Sequence, residues 1–211
     1  LTYILGLPGE DEASMRATAY SRTALLLESV ARTTGDRPLF AALKEYARRF
    51  AFRHPSTADL LGVIGEVAGP EARELLERGW SSAGAVDYAV ARATSVPGAT
   101  SGWASTVVVR RLGEVAWPVE VELRFAGGRV VKRRWDGRGE WVRYRATGPR
   151  LLSATVDPKR ASLLDVNRLN DGLRTTPDPT TARAWGHRLR FLAQNLLELF
   201  SLLALAPGGV P

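Results

Sequence analysis

Val119-Glu120-Val121-Glu122-Leu123-Arg124-Phe125 alternates apolar and charged residues without a break, the signature of a strand with one buried and one wet face. Gly127-Gly128 follows, a pair suited to the positive φ angles of a tight hairpin turn, and Arg129 to Trp135 reads as the return strand. Outward from this hairpin, strands are expected at Val86 to Thr94, Gly102 to Leu112, Trp141 to Arg145, Leu151 to Val156 and Ser162 to Asn167. About seven short strands over roughly 85 residues indicate an antiparallel sandwich or barrel. Trp103, Trp117, Trp135 and Trp141 lie on or between these segments and read as core residues rather than as a sugar-stacking platform.

Upstream the apolar period is helical. Leu26, Leu27, Val30 and Ala31 mark one helix that stops near Gly35. A second is expected behind Asp36 as N-cap, with Pro38 in its first turn and a buried stripe of Leu39, Leu43, Tyr46 and Phe50. Ser56-Thr57-Ala58-Asp59 can cap a third, with Leu60, Ile64 and Val67 facing inward, and Gly69-Pro70 ends it. A fourth helix is predicted over Pro70 to Arg78.

The period changes from about 3.6 to 2 at Ser81-Ser82-Ala83-Gly84, which marks a domain boundary. The expected organisation is α+β: a helical part over 1–81, a β-sandwich over 82–176, and a linker with a leucine-rich helix over 177–211. That last helix, from Thr180 to about Ala206, carries Leu189, Leu192, Leu196, Leu197, Leu199, Leu202 and Leu203. Arg190, Gln194, Asn195 and Glu198 interrupt it, so an amphipathic helix docked on the protein, a partner or a membrane surface fits better than a membrane span.

The chain has 211 residues and a net charge of +7. Residues 82–176 hold 16 basic against 9 acidic residues and so carry the excess. Arg129 to Arg145 has no phosphate loop, recognised nucleic-acid motif or recognition helix, and reads as a solvated strand face; no nucleic-acid partner is expected. The absence of cysteine removes disulfides and thiolate metal sites, and leaves the compartment open between cytoplasmic and membrane-associated. The opening Leu-Thr-Tyr-Ile-Leu-Gly has neither an initiator methionine nor a secretory signal and reads as part of something longer.

Catalytic signatures are sparse. His54 and His187 are the only histidines, H-E-x-x-H is absent, and no G-x-S-x-G elbow, Walker loop or G-x-G-x-x-G is present. His54 sits beside Pro55 and far in sequence from His187, so no metal ligands are assigned in this chain. Glu10-Asp11-Glu12 reads as a solvated acidic run.

Tyr20-Ser21-Arg22-Thr23, followed by Ala24-Leu25-Leu26-Leu27, then Gly35, Phe40, Leu43, Tyr46, Phe50 and His54-Pro55 through Asp59, resembles the segment downstream of the zinc site in gluzincin aminopeptidases. These are the relatives of aminopeptidase N and leukotriene A4 hydrolase. Val156-Asp157-Pro158, then Leu163-Leu164-Asp165-Val166-Asn167-Arg168-Leu169-Asn170, is similar to the end of the β domain in bacterial members. The resemblance covers residues 15–175.

It implies that residues 1–81 are the helical C-terminal part of a thermolysin-like catalytic domain, packed on the sandwich. It further implies that Tyr20 matches the catalytic tyrosine of a Y-x-K-G pattern, whose phenol donates a hydrogen bond to the oxyanion formed at the peptide carbonyl. Arg22 and Thr23 stand where that pattern has lysine and glycine. On this reading zinc belongs to a full-length parent, no cofactor belongs to this chain, and the chain alone is not an enzyme. Its partners would be the rest of the catalytic domain and a peptide substrate. A noncatalytic binding or scaffolding module, attached to a membrane through its last helix, is the alternative.

Overall fold

The computed structural model describes residues 17–82, 84–98, 101–176 and 179–204, so the acidic run Glu10-Asp11-Glu12 lies outside the described residues. The fold is α+β, and the chain divides into two compact units, Leu1–Thr175 and Thr176–Pro211.

The first unit opens on a π-helical turn, Ala17–Arg22, that runs directly into α1, Thr23–Thr34. Gly35 ends α1 at φ 108° and donates its N–H to Ala31 O at 2.7 Å. The same glycine is the N-cap of α2, Asp36–Phe50. Asp36 is therefore the first helical residue rather than the cap: a one-residue connection needs the backbone freedom of glycine, and the Asp36 carboxylate meets the positive helix end from inside the first turn. Leu39 and Ala42 of α2 are buried; Leu43, Tyr46 and Phe50 are half-buried, with the two aromatic rings 5.3 Å apart.

α3, Thr57–Val67, begins with a complete capping box: the Asp59 N–H donates to Ser56 Oγ, and the Ser56 N–H donates to Asp59 Oδ2. Its buried residues are Leu61, Val63 and Ile64, whereas Val67 is exposed. The expected stripe is rotated because α3 packs between α2 and α4, so its covered arc extends towards Leu61. α4, Pro70–Ser81, runs three residues beyond the expected end, and α1 packs across it. A Cβ at Gly79 would stand 2.3 Å from Leu26 Cδ1, so the close approach of these helices needs glycine there.

Two antiparallel sheets follow. β1, Tyr88–Pro97, β2, Trp103–Arg111, and β5, Trp141–Gly148, form one in the order β1-β2-β5. β3, Val119–Phe125, β4, Val130–Trp135, β6, Leu151–Val156, and β7, Gly172–Arg174, form the other in the order β4-β3-β6-β7. β1 packs against β6 and β7, and one hydrophobic cluster runs from Leu26 and Leu76 through Val86, Tyr88, Trp117 and Val121 to Val156. Helices and sheets of this unit thus share their core.

Gly127 and Gly128 take positive φ between β3 and β4, as the hairpin requires. On β3, Glu122 departs from simple alternation: it lies on the polar face yet is only 6% exposed. β3 is an inner strand, and Arg124, at 2.7 Å, and Lys132 of β4 lie over its carboxylate. Ser162 to Asn167 is not a strand; it forms turns, with a single parallel bridge from Asp165 to Val86, and the seventh strand is Gly172–Arg174.

Of the four tryptophans, Trp117 and Trp135 are core residues. Trp141 is half-exposed because it starts β5, at a sheet edge, and Arg143 lies over its ring. Trp103 is partly covered, with the Arg150 guanidinium 4.9 Å from its ring centroid.

The second unit is α5, Pro179–Ala204. No helix among the described residues is long and apolar enough to cross a membrane.

Candidate functional site

Tyr20 lies in the π-helical turn that precedes α1, with its side chain 75% exposed. Wide turns of this kind redirect side chains and recur at functional positions. Two residues on, the Arg22 guanidinium donates to the carbonyls of Ser82, at 2.6 Å, and Gly84, at 3.2 Å. Arg22 therefore fastens the start of α1 to the connection between α4 and β1. A planar fork with several donors can hold two carbonyls at once, which a lysine ammonium would do with less directional constraint.

Beside this anchor lies a cleft of about 370 Å³, walled by Leu25, Val86, Val115 and Leu163 and including Arg22 and Asp165. Ser21 also lines it, so Tyr20 stands one residue along the chain from its wall. The cleft is apolar with one cation and one carboxylate. Arg22 is already bonded to main-chain carbonyls, and Asp165 accepts hydrogen bonds from the N–H groups of Asn167, at 2.9 Å, and Tyr88, at 3.3 Å. Burial nevertheless pushes the Asp165 carboxyl above the ordinary carboxylate range.

The segment from Asp157 to Asp171 closes the cleft side of the sandwich. Asp157 is 5% exposed, sits at φ 44°, and accepts the N–H groups of Ala161 and Ser162 at 2.8 and 2.9 Å. Arg168 faces Asp157 and Asp171 at 3.5 and 3.4 Å and donates to Ser162 O. Asn170 donates to Asp87 Oδ1 at 3.0 Å, and its carbonyl accepts the Val90 N–H. Leu163 N–H donates to Ser29 Oγ at 2.8 Å, and that hydroxyl donates to Leu25 O. The segment is a clasp: one side holds α1, the other holds β1 and β6.

Within the clasp, Asp171 is pushed up to about 6, first by burial and then by the neighbouring Asp165 and Asp157 carboxylates, with Arg168 pulling the other way. Ser29, Asp87 and Tyr88 take part although periodicity alone singles out none of them. The closely spaced Asp165, Asn167, Asn170 and Asp171 form the visible part of the pattern, since short polar side chains at such spacing bond to nearby main chain.

His54 is exposed in the connection before α3, and His187 is exposed on α5. Among the described residues no group of three or more His, Asp or Glu side chains is placed to hold a metal ion. No protein-family model matches this chain, and no curated protein matches it.

Proposed function

We propose that this chain is the C-terminal part of an aminopeptidase-like protein of the gluzincin type, in which Tyr20 supplies the hydrogen-bond donor to the oxyanion of a peptide carbonyl under attack by water. The observation that carries the reading is the Tyr20 side chain, 75% exposed and two residues from the Arg22 anchor. An exposed phenol on a backbone anchored two residues away is free to donate a hydrogen bond, and a donor at the oxyanion stabilises charge that develops only in the transition state. In this reading the helices of the first unit are the end of a thermolysin-like domain. On this reading the group that activates the water belongs to the rest of the protein.

The experiment is hydrolysis of a panel of aminoacyl chromogenic substrates by the full-length protein. Turnover with a free amino terminus, and none with the same substrates acetylated, supports an aminopeptidase; absence of turnover on every substrate refutes it.

A second reading, a noncatalytic binding or scaffolding module, is favoured by Arg22, whose guanidinium holds two main-chain carbonyls, and by the clasp, which holds α1 through the Leu163 N–H on Ser29 and the segment entering β1 through Asn170 on Asp87. In that reading the cleft and the clasp stabilise the fold, and the panel stays uncleaved.

A further inference from the structure

Along α5, Trp185, Leu189, Leu192, Leu196, Leu199 and Phe200 recur at steps of four, three, four, three and one, which places them on one side of a helix. Each of these side chains is more than half exposed. The opposite side carries Arg183, His187, Arg190, Gln194, Glu198 and Ser201. Arg188 borders the apolar side, with its guanidinium 5.5 Å from the Trp185 ring centroid. From Arg183 to Ser201 there are three arginines and one glutamate, and all three arginines precede Phe191.

We infer that α5 docks in the plane of an anionic lipid surface, with the Trp185–Phe200 side among the acyl chains and the arginines against the headgroups. Three features favour a lipid surface. The first is charge complementarity, because cationic and apolar sides on one helix match an anionic headgroup layer over hydrocarbon. The second is the width of the apolar side: Leu197 and Phe200 lie outside the narrow two-in-seven seam that a coiled-coil partner covers. That seam also runs through fewer than the three to four heptads a stable coiled coil sustains. The third is the Trp185 indole on the apolar side with the Arg188 guanidinium beside its ring, since tryptophan is enriched at membrane interfaces. The helix is not apolar enough to cross the bilayer, which leaves it lying along the surface.

The test is flotation of the full chain with phosphatidylcholine vesicles and with equimolar phosphatidylcholine–phosphatidylglycerol vesicles. The expected result is flotation with the anionic vesicles, at least about tenfold tighter than with the neutral ones and weakening as salt rises. Arg183→Gln/Arg188→Gln/Arg190→Gln should weaken anionic binding by about 100-fold, near fivefold per arginine, and leave the neutral binding unchanged. Leu192→Glu/Leu196→Glu should abolish flotation while the thermal melt of the first unit is retained. Gln194→Arg, which adds charge on the polar side without touching the apolar one, should tighten anionic binding. Failure to float with either vesicle overturns the inference. So does equal binding by the arginine triple variant, or a concentration-dependent dimer that Leu192→Glu/Leu196→Glu dissociates in the absence of any vesicle binding.

Discussion

The Tyr88 hydroxyl and the Trp117 main chain are bonded in both directions: the phenol donates to Trp117 O at 2.7 Å and accepts the Trp117 N–H at 2.8 Å. One side chain of β1 thus satisfies both main-chain polar groups of Trp117 at the centre of the core. The Tyr88 ring also meets Trp135 edge-on at 5.4 Å, and the Trp117 indole N–H donates to Thr33 Oγ1 of α1 at 3.2 Å. The strands and the helices are joined through these contacts.

Tyr88→Phe keeps the ring and leaves a buried N–H and a buried C=O without partners. With roughly 1–3 kcal/mol for each group left unsatisfied, the variant should lose about 2–6 kcal/mol of stability. Chemical denaturation with an unchanged m-value checks this. In the parent, burial pushes the Tyr88 phenol up to about 12, so the tyrosinate absorbance of this residue should develop only near that pH.

Ser29→Ala tests the clasp. The Ser29 hydroxyl is fully buried and bridges Leu25 O to the Leu163 N–H, across 134 residues of sequence. Its removal should cost about 1–3 kcal/mol. Amide hydrogen exchange should accelerate at Leu163 and its neighbours before it does in β3, the inner strand of its sheet.

Asp171 sets a pH dependence. Its folded-state value of about 6 lies above the ordinary carboxylate value, so the folded chain holds this proton more tightly than the unfolded chain. The resulting destabilisation is fully present above about pH 6 and is relieved as pH falls through 6 towards 4. Asp171→Asn should therefore raise the melting temperature at pH 7 to 8, with the gain shrinking as pH falls and gone below about pH 4. A gain independent of pH would contradict the assignment.

Much of this fold is legible in the sequence where local chemistry decides it. Val119–Phe125 has the bounds its alternation predicts, Leu151–Val156 is a strand over the expected residues, and Ser56 with Asp59 forms the capping box their spacing predicts. Local pattern fails where a distant segment decides. Val67 faces solvent because α3 is covered from two sides, and Glu122 is covered because Arg124 of its own strand and Lys132 of β4 lay long cations over it. Ser162–Asn167 has strand-like composition, yet its amides turn towards Asp157, Asp165 and Ser29. The cleft beside Tyr20 was equally illegible, since Arg22, Val86, Val115 and Asp165 meet there from separated parts of the chain.

The central claim is that the exposed Tyr20 phenol acts on an oxyanion, and kcat of the full-length protein beside its Tyr20→Phe variant tests it most directly. The phenol is exposed, so the variant should melt like the parent. The account predicts a fall in kcat of about 10²- to 10³-fold with KM nearly unchanged, because the interaction exists only in the transition state. A Tyr20→Phe variant that turns over at the parental rate would contradict it.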